Sequence, residues 1–275
     1  MRDDSGYIEH LARIAREIAM QAGGELLKHK QPNMNYLGDD IDPETRSEIE
    51  RVLREPERAA RLAPYERAQL KELAFWRWVA FEGYEGTDPR AFPWRQRVFM
   101  TTCFMNTGWA FDEVATWDIV EVGCGPLGMI EYLPARRRVA CDPLNPHYDR
   151  LFRRVRSRGI EYTASLDRLV LTEAGSFDLA ISFNVLDHTE KPRDVFDAFM
   201  ALIRPGGRFL LQVNTVRQGE ARPREHKELH PSELAAEQII AWLDEHSRDY
   251  RKTLADKPSP MNEYWFMAWG HKNRH

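Results

Sequence analysis

The sequence predicts an α/β protein, in which a mostly parallel sheet with helices on both faces follows an N-terminal helical extension. Three observations carry this. After Asp118, short apolar runs of strand length alternate with segments of helical periodicity, the pattern of parallel strands joined by crossover helices. The first run, "DIVEV", leads into "GCGPLG", where glycines allow a sharp turn and a close approach by a ligand. Before Asp118 there is helical spacing and a crowd of aromatics but no such alternation. Residues 1–110 are accordingly read as a helical extension capping the substrate side, and 111–275 as the domain that carries the glycine loop.

In chain order, Ile8, Leu11, Ile14, Ala15, Ile18 and Ala22 fall at helical spacing and predict an amphipathic helix. The polar stretch "KHKQPNMNYLGDDIDPET" reads as a loop, broken by Pro, Asn and Gly. Helical spacing returns from Pro43 to about Tyr84 and ends in "FWRWVAFEGY" and "FPWRQRVF". Those aromatics are expected mostly in the core, with one or two as flat faces of an acceptor pocket. "DIVEV", "RVACD", "FDLAISFN" and "GGRFLLQVNTV" are four strands, and "DVFDAFMALIR" is a helix with one apolar stripe. "SELAAEQIIAWLDEH" is a second helix, with Ser232 expected as its N-cap. "EYWFMAWGHK" is a last strand on which the sheet ends antiparallel, and "RRVRSR" reads as the solvated face of a helix.

The 275 residues, 43% hydrophobic, suffice for a full core. A net charge of -4, from 39 basic and 43 acidic residues, provides no field to draw in nucleic acid or an anionic membrane, so neither is an expected partner. Cys103, Cys124 and Cys141 show no C-x-x-C spacing, so a reduced, cytoplasmic protein without zinc is expected. The opening segment lacks a secretory pattern, and no apolar run reaches a membrane span.

G-x-G-x-x-G serves two kinds of cofactor. A dinucleotide puts a pyrophosphate against the turn, where a carboxylate would repel it. Here Glu121 stands two residues before Gly123, an arrangement suited to the cationic methionine end of S-adenosylmethionine. Asp142 ends the second strand, where a carboxylate can accept both ribose hydroxyls. With "NVLDHTEKP" after a later strand and "RPGG" before the next, the chain resembles the class I S-adenosylmethionine-dependent methyltransferases from about Ile119 to Val216. That resemblance implies a Rossmann-like sheet of seven strands and S-adenosylmethionine as cofactor. It implies that Glu121, Gly123, Cys124 and Gly125 shape the methionine side of the pocket and that Asp142 binds the ribose. Pro143 and Leu144 would flank the adenine, Ser165, Leu166 and Asp167 would meet its ring, and Asn184 with Val185 would lie near the methionine end.

Methyl transfer to a hydroxyl needs a base, whereas an amine need only be neutral. His188 occupies the position that faces the transferring methyl in similar enzymes, and Asp187 stands beside it to orient an imidazole or bind a metal. His226 and His230, on the loop "EARPREHKELHPSE", are alternative bases. A divalent metal such as magnesium is left open rather than predicted, because no complete ligand set stands at recognisable spacing. The expected reaction is methyl transfer to a hydroxyl of a small polar molecule or saccharide, short motifs being similar to bacterial polysaccharide methyltransferases. The alternatives are a small-molecule N-methyltransferase and a non-catalytic partner subunit that binds the same cofactor. A homo-oligomer is compatible with the sequence.

Overall fold

The computed structural model describes residues 65, 68, 69, 72, 73, 75, 76, 92–152, 155–223, 230–259 and 262–274. The amphipathic helix expected over residues 8–22 lies outside them. Tyr65, Ala68, Gln69, Glu72, Leu73, Phe75 and Trp76 are helical, as the spacing before Tyr84 predicts. Helix α1 follows at Phe92–Met105, and the short α2 at Phe111–Val114.

Seven strands form one sheet: β1 (Asp118–Val122), β2 (Arg137–Cys141), β3 (Glu161–Thr163), β4 (Phe177–Phe183), β5 (Ile203–Thr215), β6 (Asp249–Leu254) and β7 (Tyr264–His271). Their order is β3-β2-β1-β4-β5-β7-β6. The first five pair in parallel, and β7 runs antiparallel to both neighbours. The last strand of the chain is antiparallel, as the sequence reading had it, and it inserts between β5 and β6. The edge strand β6, "DYRKTL", is largely exposed and charged, which hid it from an apolar-run search.

The two-residue period of each strand divides the core into two layers. Val120 and Val122 of β1 join Phe209, Leu211 and Val213 of β5 under helices α5 (Pro192–Leu202) and α6 (Ala236–His246). Ile119, Ile181 and Leu210 face the other way, against α1 and the 3-10 turn Met129–Tyr132. Helices thus cover both faces. Two further helices, α3 (Asn145–Leu151) and α4 (Leu166–Glu173), follow β2 and β3.

Three local expectations are corrected. Ser232 does not cap α6, whose N-cap is Ala235; its hydroxyl donates instead to the Thr189 carbonyl at 2.6 Å. Of the run "RRVRSR", Arg153 and Arg154 lie outside the described residues, and Arg156 is not on a solvated helix face, since it lies beyond α3 and is buried. Its guanidinium stacks 3.7 Å from the Tyr162 ring centre and donates to Asn145 Oδ1 at 2.5 Å. Trp94, counted among the expected core aromatics, is 67% exposed.

Candidate active site

The carboxyl ends of β1, β2, β4 and β5 converge on one crevice, where a parallel sheet presents its ligands. At the end of β1, Gly123 and Gly125 have φ of +73° and +56°, a region that L side chains rarely adopt. A Cβ on Gly123 would overlap the Val185 side chain, so the glycine lets the loops after β1 and β4 touch. A Cβ on Gly125 would meet nothing within 4 Å, so the loop faces open space there. The Gly123 amide donates to the Cys141 carbonyl at 2.7 Å, fastening the loop to β2.

Period two puts Glu121 on the same face as Ile119, under the turn that follows the loop. Its carboxylate accepts from the Met129 amide at 3.1 Å and the Ile130 amide at 2.8 Å and is fully buried. Burial pushes its pKa up to about 8, against the pull of those two amides. Glu121 thus shapes the turn from below rather than presenting its charge to the crevice. The Cys124 side chain is buried as well, with Sγ 3.5 Å from Asn145 Oδ1 and its pKa raised by burial.

Asp142 directly follows β2, and its two oxygens accept from the Gly125 and Leu144 amides, each at 2.9 Å. Burial raises its pKa to about 6, the two amides oppose this, and the nearby Glu72 adds to it. Pro143 is exposed beside it. Leu144 turns inward against Leu73, Tyr148 and Phe152. Ser165 caps α4 by accepting from the Arg168 amide at 3.2 Å, with Leu166 and Asp167 in the first turn. These three stand beyond the carboxyl end of β3.

Beyond β4 the chain passes through Asn184, at φ 56°, into the 3-10 turn Leu186–His188. Asn184 Nδ2 lies 3.1 Å from His188 Nε2, while Asn184 Oδ1 accepts from Asn214 Nδ2 of β5 at 2.8 Å. His230 Nδ1 lies 2.9 Å from Asp187 Oδ2, and the His188 and His230 ring centres are 4.2 Å apart. Arg222 Nη2 donates to the same Asp187 oxygen at 2.9 Å, and its Nε donates to Glu263 at 2.6 Å. Asp187, Arg222 and Glu263 are all buried. Burial alone would raise the Asp187 pKa; the His230 hydrogen bond and the charges of the histidines and Arg222 outweigh it and hold the carboxyl well below the usual range. His230 shifts down, mainly through burial and then the neighbouring His188.

The structure therefore brings Asp187, His188 and His230 together, whereas His226 lies outside the described residues. Sequence reasoning missed Arg222, Glu263, Asn214 and Glu72. Glu72, in the helical segment before α1, reaches to 3.6 Å from His188 Nδ1 with Oε2, while Oε1 accepts from Trp76 Nε1 at 2.5 Å. One carboxylate and two imidazoles are a poor set for magnesium, which takes oxygen ligands. Arg222 already gives Asp187 the positive partner that a cation would supply.

The open Gly125 cradle, with an acidic group at the end of β2 beside it, fits a nucleoside whose ribose hydroxyls meet that acid. Residues 120–211 match the family described as "Methyltransferase domain". Human "Thiol S-methyltransferase TMT1B" is 27% identical over 99 residues, 32% of this chain. The chain spans about two fifths of that relative, the match covering 39% of its length. Among solved structures, N-methyltransferase NodS from Bradyrhizobium japonicum, in complex with S-adenosyl-l-homocysteine, superposes with a TM-score of 0.50 at 18% identity. That match covers 77% of this chain and 99% of NodS. The 1,6-didemethyltoxoflavin-N1-methyltransferase of Burkholderia thailandensis gives 0.51 at 19%, covering 77% and 91% of the two chains. Sheet order, loop and domain match define a class I methyltransferase fold around residues 120–211. Both of these solved structures hold S-adenosylhomocysteine. Among the described residues, no helix is long and apolar enough to cross a membrane.

Proposed function

We propose that this chain transfers a methyl group from S-adenosylmethionine to a hydroxyl of a small polar molecule or saccharide, with His230 as general base. The observation that carries the reading is the buried pair of Asp187 and His230, set beside His188 at the end of β4. A carboxylate that accepts the Nδ1 proton leaves Nε2 with its lone pair, the basic nitrogen of such a pair. Arg222 holds Asp187 in place, and burial shifts the His230 pKa down, which favours the imidazole that can accept a proton. His188 Nε2 is engaged by Asn184, which makes His188 the less free of the two imidazoles. S-adenosylmethionine supplies, when bound, a methyl group on a sulfonium. As the acceptor oxygen bonds to that methyl, its proton passes to His230 Nε2 and the electron pair of the broken carbon–sulfur bond stays on sulfur. The glycine loop and Asp142 hold the nucleoside and ribose, and Asn184 and Val185 lie at the methyl side.

A neutral amine acceptor would make no use of this base apparatus, and a non-catalytic subunit would have no need of it. The test is turnover of a methylated hydroxyl product by His230→Ala, His188→Ala and the unaltered chain. His230→Ala should lower kcat about a hundredfold, the contribution of a general base, with S-adenosylmethionine affinity nearly unchanged. Full activity in His230→Ala with a comparable loss in His188→Ala would move the base to His188, and full activity in both would remove the hydroxyl reading.

A further inference from the structure

Glu72 belongs to none of the loops that a glycine motif or a strand end marks, yet it reaches the turn after β4. Its Oε2 lies 3.6 Å from His188 Nδ1, at the end of β4. It also acts electrostatically on Asp142, at the end of β2, and on the Tyr148 hydroxyl of α3. The two strand ends flank β1, and the carboxylate stands at the end of β4, on the expected methyl side. Oε1 is fixed by the Trp76 indole at 2.5 Å, and Leu73, next in the helix, is buried against Leu144, Tyr148 and Phe152. Glu72 is therefore held in place with one oxygen directed to the methyl side. Among the described acids near these strand ends, Glu121 and Asp142 each accept from two amides, and Asp187 is held by Arg222 and His230.

The geometry points to Glu72 as the counter-charge for the sulfonium of S-adenosylmethionine, so that the site prefers the charged methyl donor to its neutral thioether product. This rests on the proposed use of that donor. The chemistry follows from the reaction: transfer removes the one charge that distinguishes donor from product, so a carboxylate beside the sulfur loses its partner at that moment and the product is released more readily. No bond to Glu72 forms or breaks. Asp187, with its own buried cation, cannot serve in this way.

The test is calorimetric titration of the full chain and Glu72→Gln with S-adenosylmethionine and, separately, S-adenosylhomocysteine. Glutamine keeps an oxygen for the Trp76 indole, so the helix retains its anchor. The expected result is a roughly five- to tenfold weaker donor affinity in Glu72→Gln with product affinity within twofold, the scale of one charge-assisted contact. Equal losses for both ligands, or none, would overturn the inference and leave Glu72 as a structural partner of His188 and Trp76. If the unaltered chain binds neither ligand, the methyl-donor reading itself fails, a result distinct from either of those.

Discussion

Asp142 and Glu121 are both acids at strand ends, and the strand period gives them different work. Glu121 shares a face with Ile119 and is enclosed by the turn after the loop; Asp142 lies past the end of β2, where the crevice begins. The sequence spacing located both residues, but it could not tell that the Glu121 carboxylate is spent on the Met129 and Ile130 amides, because those amides come from a turn with no recognisable signal. Asp142 yields a pH prediction. Ribose hydroxyls bind the carboxylate form, and the Asp142 pKa stands at about 6, above the ordinary carboxylate range. Affinity for S-adenosylmethionine should hold above pH 6 and weaken roughly tenfold per unit below it. A dissociation constant flat from pH 7.5 to 5 would show that Asp142 does not hold the ribose.

At the scale of elements, Arg222 joins segments that are distant in sequence. It donates to Asp187 after β4, to the Asn214 carbonyl of β5, to the Ser232 carbonyl before α6 and to Glu263 before β7. Nothing in "EARPREHKELHPSE" distinguishes it among 39 basic residues, since a buried guanidinium is defined by partners that only the fold assembles. His230 was legible because a histidine on a loop after a parallel strand is a candidate by type and place. Removing Arg222 leaves two buried carboxylates without their cation. Arg222→Met should therefore lower unfolding free energy by about 3–5 kcal/mol, read from urea denaturation. A loss below about 1 kcal/mol would mean that water or rearrangement satisfies Asp187 and Glu263 without it.

Over the whole molecule, the parallel half of the sheet was the most legible part. Four of its five strands are largely buried and read as apolar runs, as in "DLAISF", whereas the short β3, "EYT", is exposed to half-buried and was missed. The edge strand β6, five of whose six residues are exposed, gave no such signal, and the place of β7 inside the sheet depends on that unseen neighbour. The proposed cofactor class rests on motifs that were legible, because the glycine loop, the acid after β2 and the segment after β4 come in a fixed order along the chain. The acceptor was not, since side chains such as Glu72 reach the strand ends from outside the motif. The central claim is that this crevice takes a sulfonium nucleoside rather than a dinucleotide. Calorimetry of the purified chain against S-adenosylmethionine and, in a separate titration, NAD tests it directly. The account predicts saturable S-adenosylmethionine binding with a dissociation constant on the order of micromolar, about -8 kcal/mol, and no heat with NAD. Saturable NAD binding without S-adenosylmethionine binding would contradict it.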